Sequence, residues 1–430
     1  MAMNEPVNRV PARRWRIAFL LSLGVLVAFL DRVNLSVSQD ALHASFGISL
    51  VTFGYLSSAY SWTYALMQMP AGALLDRWGV RRVGRIGSLL WSFASFAAAA
   101  STGVVSFLLA RFLLGIGESP VFPGNAKALG YWFPENERSL ATAITDSAAK
   151  FSTAIGIPFL GVILLRFGWR WSFFVTGIIS LGYFALFYRV YRNPGEDKNL
   201  TAQERELILT GKGQQEVQAK DVEAAPLSYL LRQPKVLGLA FGWAAYNYTF
   251  FLLLTWLPTY LSLSLHIDLL HSALYTSVPW LVATFLDLLI GGWLVDALIR
   301  KGHDSNRVRQ AVLIGGTAMG LGILGAAHAG SAIEALFWIS ISLGGLAAAA
   351  PVAWTVPSLI APKDSVGKVA GIANCCGQVS AISAPVVTGY IATITHEFAS
   401  AFITATVILL LGIAGYAFLL GRIERIAEPA

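Results

Sequence analysis

The sequence predicts an all-α membrane protein with twelve transmembrane helices in two sets of six. Three observations carry that expectation. Of the 430 residues, 56% are hydrophobic and only 13% are charged, against about 45–50% and about 25% in soluble domains. The apolar residues gather in long runs of about 20, enough to cross roughly 30 Å of hydrocarbon as helix. A polar stretch rich in Glu, Lys and Gln, residues 192–235, leaves six runs on either side.

Taken in order, the runs fall at 16–38, 52–73, 84–102, 104–130, 138–166 and 170–191, then at 236–264, 272–300, 308–328, 331–361, 366–394 and 397–421. The expected division is an N-terminal unit (1–191), a cytoplasmic linker (192–235) and a C-terminal unit (236–430), as in a duplicated chain. The first run lacks a small-residue cleavage site and is expected to stay as an anchor. The formal charge of +7 raises the question of a nucleic-acid partner, but the placement of the charges argues against one. Basic residues cluster at Arg9, Arg13, Arg14 and Arg16, at Arg77, Arg81, Arg82 and Arg85, at Arg300, Lys301, Arg307 and Arg309, at Lys363 and Lys368, and at Arg422 and Arg425. The alternate connections hold no Lys or Arg, apart from Arg166 and Arg170 between the fifth and sixth runs. This asymmetry predicts both termini in the cytoplasm. Cys375 and Cys376, the only cysteines, are adjacent inside a run and make no disulfide framework.

Four charges interrupt the runs where they should be most apolar: Asp31 and Arg32 in the first, Arg111 and Glu118 in the fourth. Each costs about 2.5–3.5 kcal/mol on insertion scales and by default marks a solute or proton path. Arg111 and Glu118 stand seven apart and share a helix face. The bland alternative for them is a fixed ion pair that only sets helix packing. Asp31 and Asn34 share one face of the first helix, while Arg32 turns about 100° away toward Ser36. Tyr60, Tyr64 and Gln68 form a polar stripe on the second. In the fifth run Asp146 and Lys150 stand at i, i+4: the pair either neutralises itself, or Lys150 supplies a second cation to the cavity. Asp287 reads as an unpaired acid near the cytoplasmic side.

The loops after the second and eighth runs repeat a pattern: Gly72 and Asp76 before Arg77, Gly292 and Asp296 before Arg300. The Gly would allow close helix approach and the Asp would latch a cytoplasmic seam. Gly320-Leu-Gly322-Ile-Leu-Gly325 spells a dinucleotide fingerprint but sits in an apolar run with no preceding strand, so helix packing is expected there. There is no Walker A, zinc-binding or nucleophile-elbow motif, so neither an enzyme nor a resident metal or cofactor is expected.

The Gly72–Arg82 loop resembles the signature between helices two and three of the major facilitator superfamily. Three segments resemble its anion:cation symporter branch, which includes bacterial galactonate, glucarate and hexuronate transporters and sialin-type carriers: Phe29–Ser36, the stretch from Arg111 through Gly115, Gly117, Glu118 and Pro123 to Pro134, and Gly371-Ile-Ala-Asn374. The resemblance implies two six-helix bundles about a central cavity, working by alternating access. It implies Arg32, Tyr64 and Arg111 at the substrate, joined by Trp354 and Asn374 from the second half. A desolvated carboxyl favours its neutral form, so Asp31 and Glu118 are the expected proton-coupling groups. The expected function is proton-coupled import of a small organic anion, a sugar acid, by a monomer in a bacterial inner membrane, with the lipid bilayer as its other partner. The rivals are a proton-driven exporter of amphipathic compounds and a nutrient sensor that binds without transporting. Asp146 and Lys150 depart from the Asn-Ser with nearby Gln that sugar-acid members carry in the fifth helix.

Overall fold

The computed structural model describes residues 12–211, 225–265, 267–362 and 365–428. Arg9 and Lys363 of the basic pattern lie outside the described residues, as does 212–224 of the linker. Among the described residues ten helices are long and apolar enough to span a membrane. The helical run α2 (Leu50–Ala99) supplies two further arms, broken at Gly79 where φ is +75°. A side chain rarely adopts that backbone, so Gly79 is what turns the second crossing into the third. The crossings among the described residues therefore number twelve.

The other main helices of the crossings are α1 (Arg13–Val37), α3 (Val104–Glu118), α4 (Val121–Trp132), α5 (Glu135–Phe167) and α6 (Trp169–Val190), then α7 (Pro234–Leu265), α8 (Leu269–Leu286), α9 (Ser305–Gly320), α10 (Ala332–Ile360), α11 (Val366–Thr395) and α12 (Ala399–Ala414). The boundaries correct three apolar runs. The fourth crossing is split between α3 and α4 at Ser119-Pro120, since proline cannot continue the backbone ladder. The eighth passes from α8 through a π-helical stretch, Asp287–Leu294, into Val295–Arg300. The ninth breaks after Gly320 and resumes at Ile323–Ala327. Gly322 and Gly325 there lie against Trp338 of α10, so the fingerprint-like glycines serve packing.

Ion pairs tie the helix ends on the basic side. Arg13 meets Asp197 at 2.8 Å, and Arg14 meets Glu137 at 2.7 Å and Glu204 at 3.0 Å. The buried Glu204 also accepts the backbone N–H groups of Arg13 and Arg14, so the linker caps the first turn of α1.

The two halves meet along two main seams. At the end opposite the basic clusters, α2 lies on α11: a Cβ on Gly54 would sit 2.6 Å from the Pro385 carbonyl oxygen, and one on Gly389 would sit 2.8 Å from that of Leu50. The Tyr55 and Tyr390 hydroxyls stand 3.3 Å apart, and Trp256 of α7 donates to the Pro385 carbonyl. These contacts shut the molecule at that end. In the other seam α5 runs along α8, with Gly161 on Ala273.

Candidate functional site

The sequence of the fourth crossing explains how its charge reaches the centre. A Cβ on Gly115 would fall 2.3 Å from the Tyr60 carbonyl, and one on Gly117 would fall 2.7 Å from the Trp91 amide. Glycine at both places lets α3 lie almost backbone to backbone on both arms of α2. Thr63 strengthens the contact by donating to the Phe112 carbonyl at 2.8 Å. Glu118, the last residue of α3, is thereby buried beside α1. Its partner is Arg32, whose Nε donates to Glu118 Oε2 at 2.9 Å with Nη2 at 2.8 Å. The pairing of Glu118 with Arg111 is thus not formed. Seven residues of helix separate those two by about 10 Å along the axis, and Arg32 approaches from the side. Glu118 Oε1 is buried and makes no hydrogen bond.

The Arg32 guanidinium lies 4.2 Å from the Phe29 ring centre, 4.6 Å from that of Tyr60 and 5.6 Å from that of Tyr64. Aromatic faces hold its plane while its edge stays available. The Arg111 guanidinium also lies near Tyr60, 5.7 Å from its ring centre. Asp31 points elsewhere. Its carboxylate accepts from Ser95 at 2.7 Å and Ser180 at 2.8 Å, in the interface of α1 with α2 and α6. Asn34 lies on the same face, with Ser172 donating to it at 2.5 Å. Asp31 is therefore a group behind the cavity wall rather than on it.

A cavity of about 650 Å³, counting its open mouth, lies between the halves. Arg32, Tyr64, Asp146 and Lys150 line it from the first half; Trp354 and Asn374 line it from the second. A smaller cavity of about 320 Å³ shares Arg32 and Tyr60 and adds Arg111 and Ser36 toward the shut end. Trp354 packs edge-on against Trp243 at 4.8 Å, and Trp243 stacks on Tyr246 at 4.9 Å.

Lys150 is paired twice. It contacts Asp146 one turn earlier and Asp287 of the eighth crossing at 2.5 Å. Asp287 is thus not an unpaired acid; it is fully buried and joins the two halves through Lys150. It opens the π-helical stretch, a distortion often found at functional sites.

A profile of the Major Facilitator Superfamily matches residues 21–303. The chain is 38% identical over 423 residues to the uncharacterized transporter YybO of Bacillus subtilis (strain 168), covering 98% of this chain and 97% of that protein. The chain belongs to the Major Facilitator Superfamily. It is also 31% identical to a D-galactonate transporter of Escherichia coli O6:H1, covering 99% of this chain and all of the other. A bacterial homologue of the lysosomal transporter Spinster, in an inward-facing, occupied conformation, superposes with a TM-score of 0.75 at 15% identity, over 98% of this chain and all of that one. This major facilitator protein is accordingly a multi-pass membrane transporter, not an enzyme.

The loop that resembles the superfamily signature is differently engaged from the latch its sequence suggests. Asp76 pairs with Lys127 of α4 at 2.6 Å, within the first half, and is largely exposed. A Cβ on Gly72 would meet no atom within 4 Å, so Gly72 supports no close approach in this state. Arg77 lies exposed in the same turn. Gly292 makes only an ordinary contact, 3.7 Å from Ala143, and Asp296 lies one turn beyond. Several lining residues escaped the sequence reading. Gln378 stands one helical turn after Asn374 and could have been found by the same mid-span amide logic. Asn247 of α7 also lines the cavity, with Trp243 and Tyr246.

Proposed function

We propose that this transporter is a proton-coupled importer of a small organic anion, a sugar acid such as an aldonate, aldarate or hexuronate, in a bacterial inner membrane. In this reading the basic end, with both termini, faces the cytoplasm, and the chain acts as a monomer. The two halves, 1–191 and 236–430, rock as bundles joined by the 192–235 linker. The sugar-acid class is supported by the D-galactonate relative. The observation that carries the mechanism is the buried Arg32–Glu118 pair at the cavity wall.

Arg32 faces the cavity and is shared with a carboxylate. A substrate carboxylate that takes the guanidinium in a forked grip leaves Glu118 buried and without its cation, a costly state. A proton on the unpartnered Oε1 removes that cost. Anion and proton therefore favour each other's binding, which is the reciprocity symport requires. Arg111 draws the anion toward the smaller cavity, and Asp31, held by two serines, is the second proton group. Tyr64, Trp354 and Asn374 hold the hydroxylated carbon chain, the indole giving its apolar face and the amide a donor and an acceptor. Gly72, Asp76, Arg77 and Asp296 act when the basic end closes. If one net positive charge moves inward per cycle, the membrane potential contributes about 2.3 kcal/mol per 100 mV, or roughly 50-fold accumulation.

The test is uptake of labelled galactonate, glucarate and glucuronate into proteoliposomes with and without an inward proton gradient. Gradient-stimulated uptake of at least one acid is expected. Absence of uptake of all three removes the substrate class, and uptake indifferent to the gradient removes the coupling.

A further inference from the structure

The cavity has two chemically different poles. One holds Arg32, with Arg111 beyond it, and can grip a carboxylate. The other is built on Asp146 and Lys150, and its Lys150 is already claimed by two carboxylates, Asp146 on its own helix and Asp287 across the seam. With both acids ionised this cluster carries a net charge of −1; with one of them protonated it is neutral. In neither state is Lys150 a spare cation. Asp146 lines the cavity directly and presents acceptor oxygens. Gln378 lines it too, and its buried Oε1 makes no hydrogen bond. A pole with these acceptors fits hydroxyl donors and opposes a second carboxylate, because like charges in a partly dry site repel strongly.

We propose that the Asp146–Lys150–Asp287 cluster makes this transporter selective for monocarboxylates that end in hydroxyl groups, and that it discriminates against dicarboxylates of the same length. This rests on the sugar-acid reading and narrows it: an aldonate or hexuronate is favoured, and an aldarate is not. The substrate lies with its carboxylate on Arg32 and its far hydroxyls on Asp146 and Gln378. Rejection of the diacid is the repulsive element that specificity requires beside the attractive one.

Binding can be followed by the fluorescence of Trp243 and Trp354, which line the cavity, in the purified full-length protein. Galactonate and glucuronate are compared with galactarate and glucarate. The expected result is a Kd for the monoacids lower by roughly tenfold or more. Asp146→Asn should narrow that ratio, and Asp146→Asn combined with Asp287→Asn, which leaves Lys150 free, should reverse it. Wild-type protein that binds diacids as tightly as monoacids overturns the proposal without any variant. So does an unchanged ratio in folded Asp146→Asn, or in Asp146→Ser where the first does not fold. Binding of diacids and monoacids alike leaves the sugar-acid reading standing, whereas binding of none of the four overturns both.

Discussion

Replacing Glu118 by Gln separates anion binding from proton coupling, because the side chain keeps its shape and loses its charge. In the native protein Oε2 of Glu118 takes the Arg32 Nε at 2.9 Å and lies 2.8 Å from Nη2. A hydrogen bond between charged groups contributes about 1.5–3 kcal/mol, and a neutral one about 0.5–1.5 kcal/mol. An incoming carboxylate must displace that interaction to grip Arg32. With Gln in place the displacement is easier by about 1 kcal/mol, so substrate binds roughly fivefold tighter. The amide has no carboxyl oxygen to take a proton, so the gradient loses its hold on transport. Glu118→Gln should therefore bind galactonate more tightly, exchange it in counterflow, and show no stimulation by an inward proton gradient. The assay pairs fluorescence titration with counterflow and gradient-driven uptake in one preparation. Weaker binding would refute the competition between Glu118 and the substrate. Intact gradient stimulation would refute the placement of the proton.

Three further outcomes follow from other contacts. Lys150→Met leaves the fully buried Asp287 without its cation; breaking a buried pair costs about 3–5 kcal/mol, so a marked fall in thermal stability is expected, and unaltered melting would contradict the pairing. Gly54→Val places its Cβ 2.6 Å from the backbone oxygen of Pro385, which cannot yield as a side chain can. The shut end should be forced apart, seen as faster thiol labelling of a buried Ser36→Cys reporter in a background with Cys375→Ser and Cys376→Ser, and uptake reduced about tenfold or more; unchanged labelling would show that this seam tolerates the bulk. Glu204→Ala removes the cap on Arg13 and Arg14 and should cost about 1–2 kcal/mol of stability, with the galactonate Kd unchanged because the residue lies far from the cavity. A shifted Kd would mean that the linker reaches the site.

The line between what the chain discloses and what it conceals runs between local and long-range physics. Hydropathy is local, so the runs that became α1, α6 and the last crossing (α12 with its π-helical extension Gly415–Leu420) stand in the sequence almost at their ends. Even the breaks have local causes, Gly79 by its backbone freedom and Pro120 by its missing donor. The site is different. That Asp31, Arg32, Arg111 and Glu118 need partners follows from where they sit in apolar runs; which partners they take does not. Helical spacing put Arg111 and Glu118 on one face and so offered them to each other, but the partner that arrived was Arg32 of α1, while Gly115 and Gly117 set α3 against α2. Asp31 took serines from α2 and α6. Asp287 looked solitary because its cation lies on α5, in the other half of the chain. In each case the cost of a buried charge announced the residue, and the identity of the neighbour that offsets it was decided by packing between helices distant in sequence. Gln378 alone was within reach of one-dimensional reasoning, one helical turn past Asn374. Its unpartnered oxygen lies in the cavity that Asp146 and Lys150 also line, which makes that turn of α11 the place where this transporter's choice among acids should be altered first.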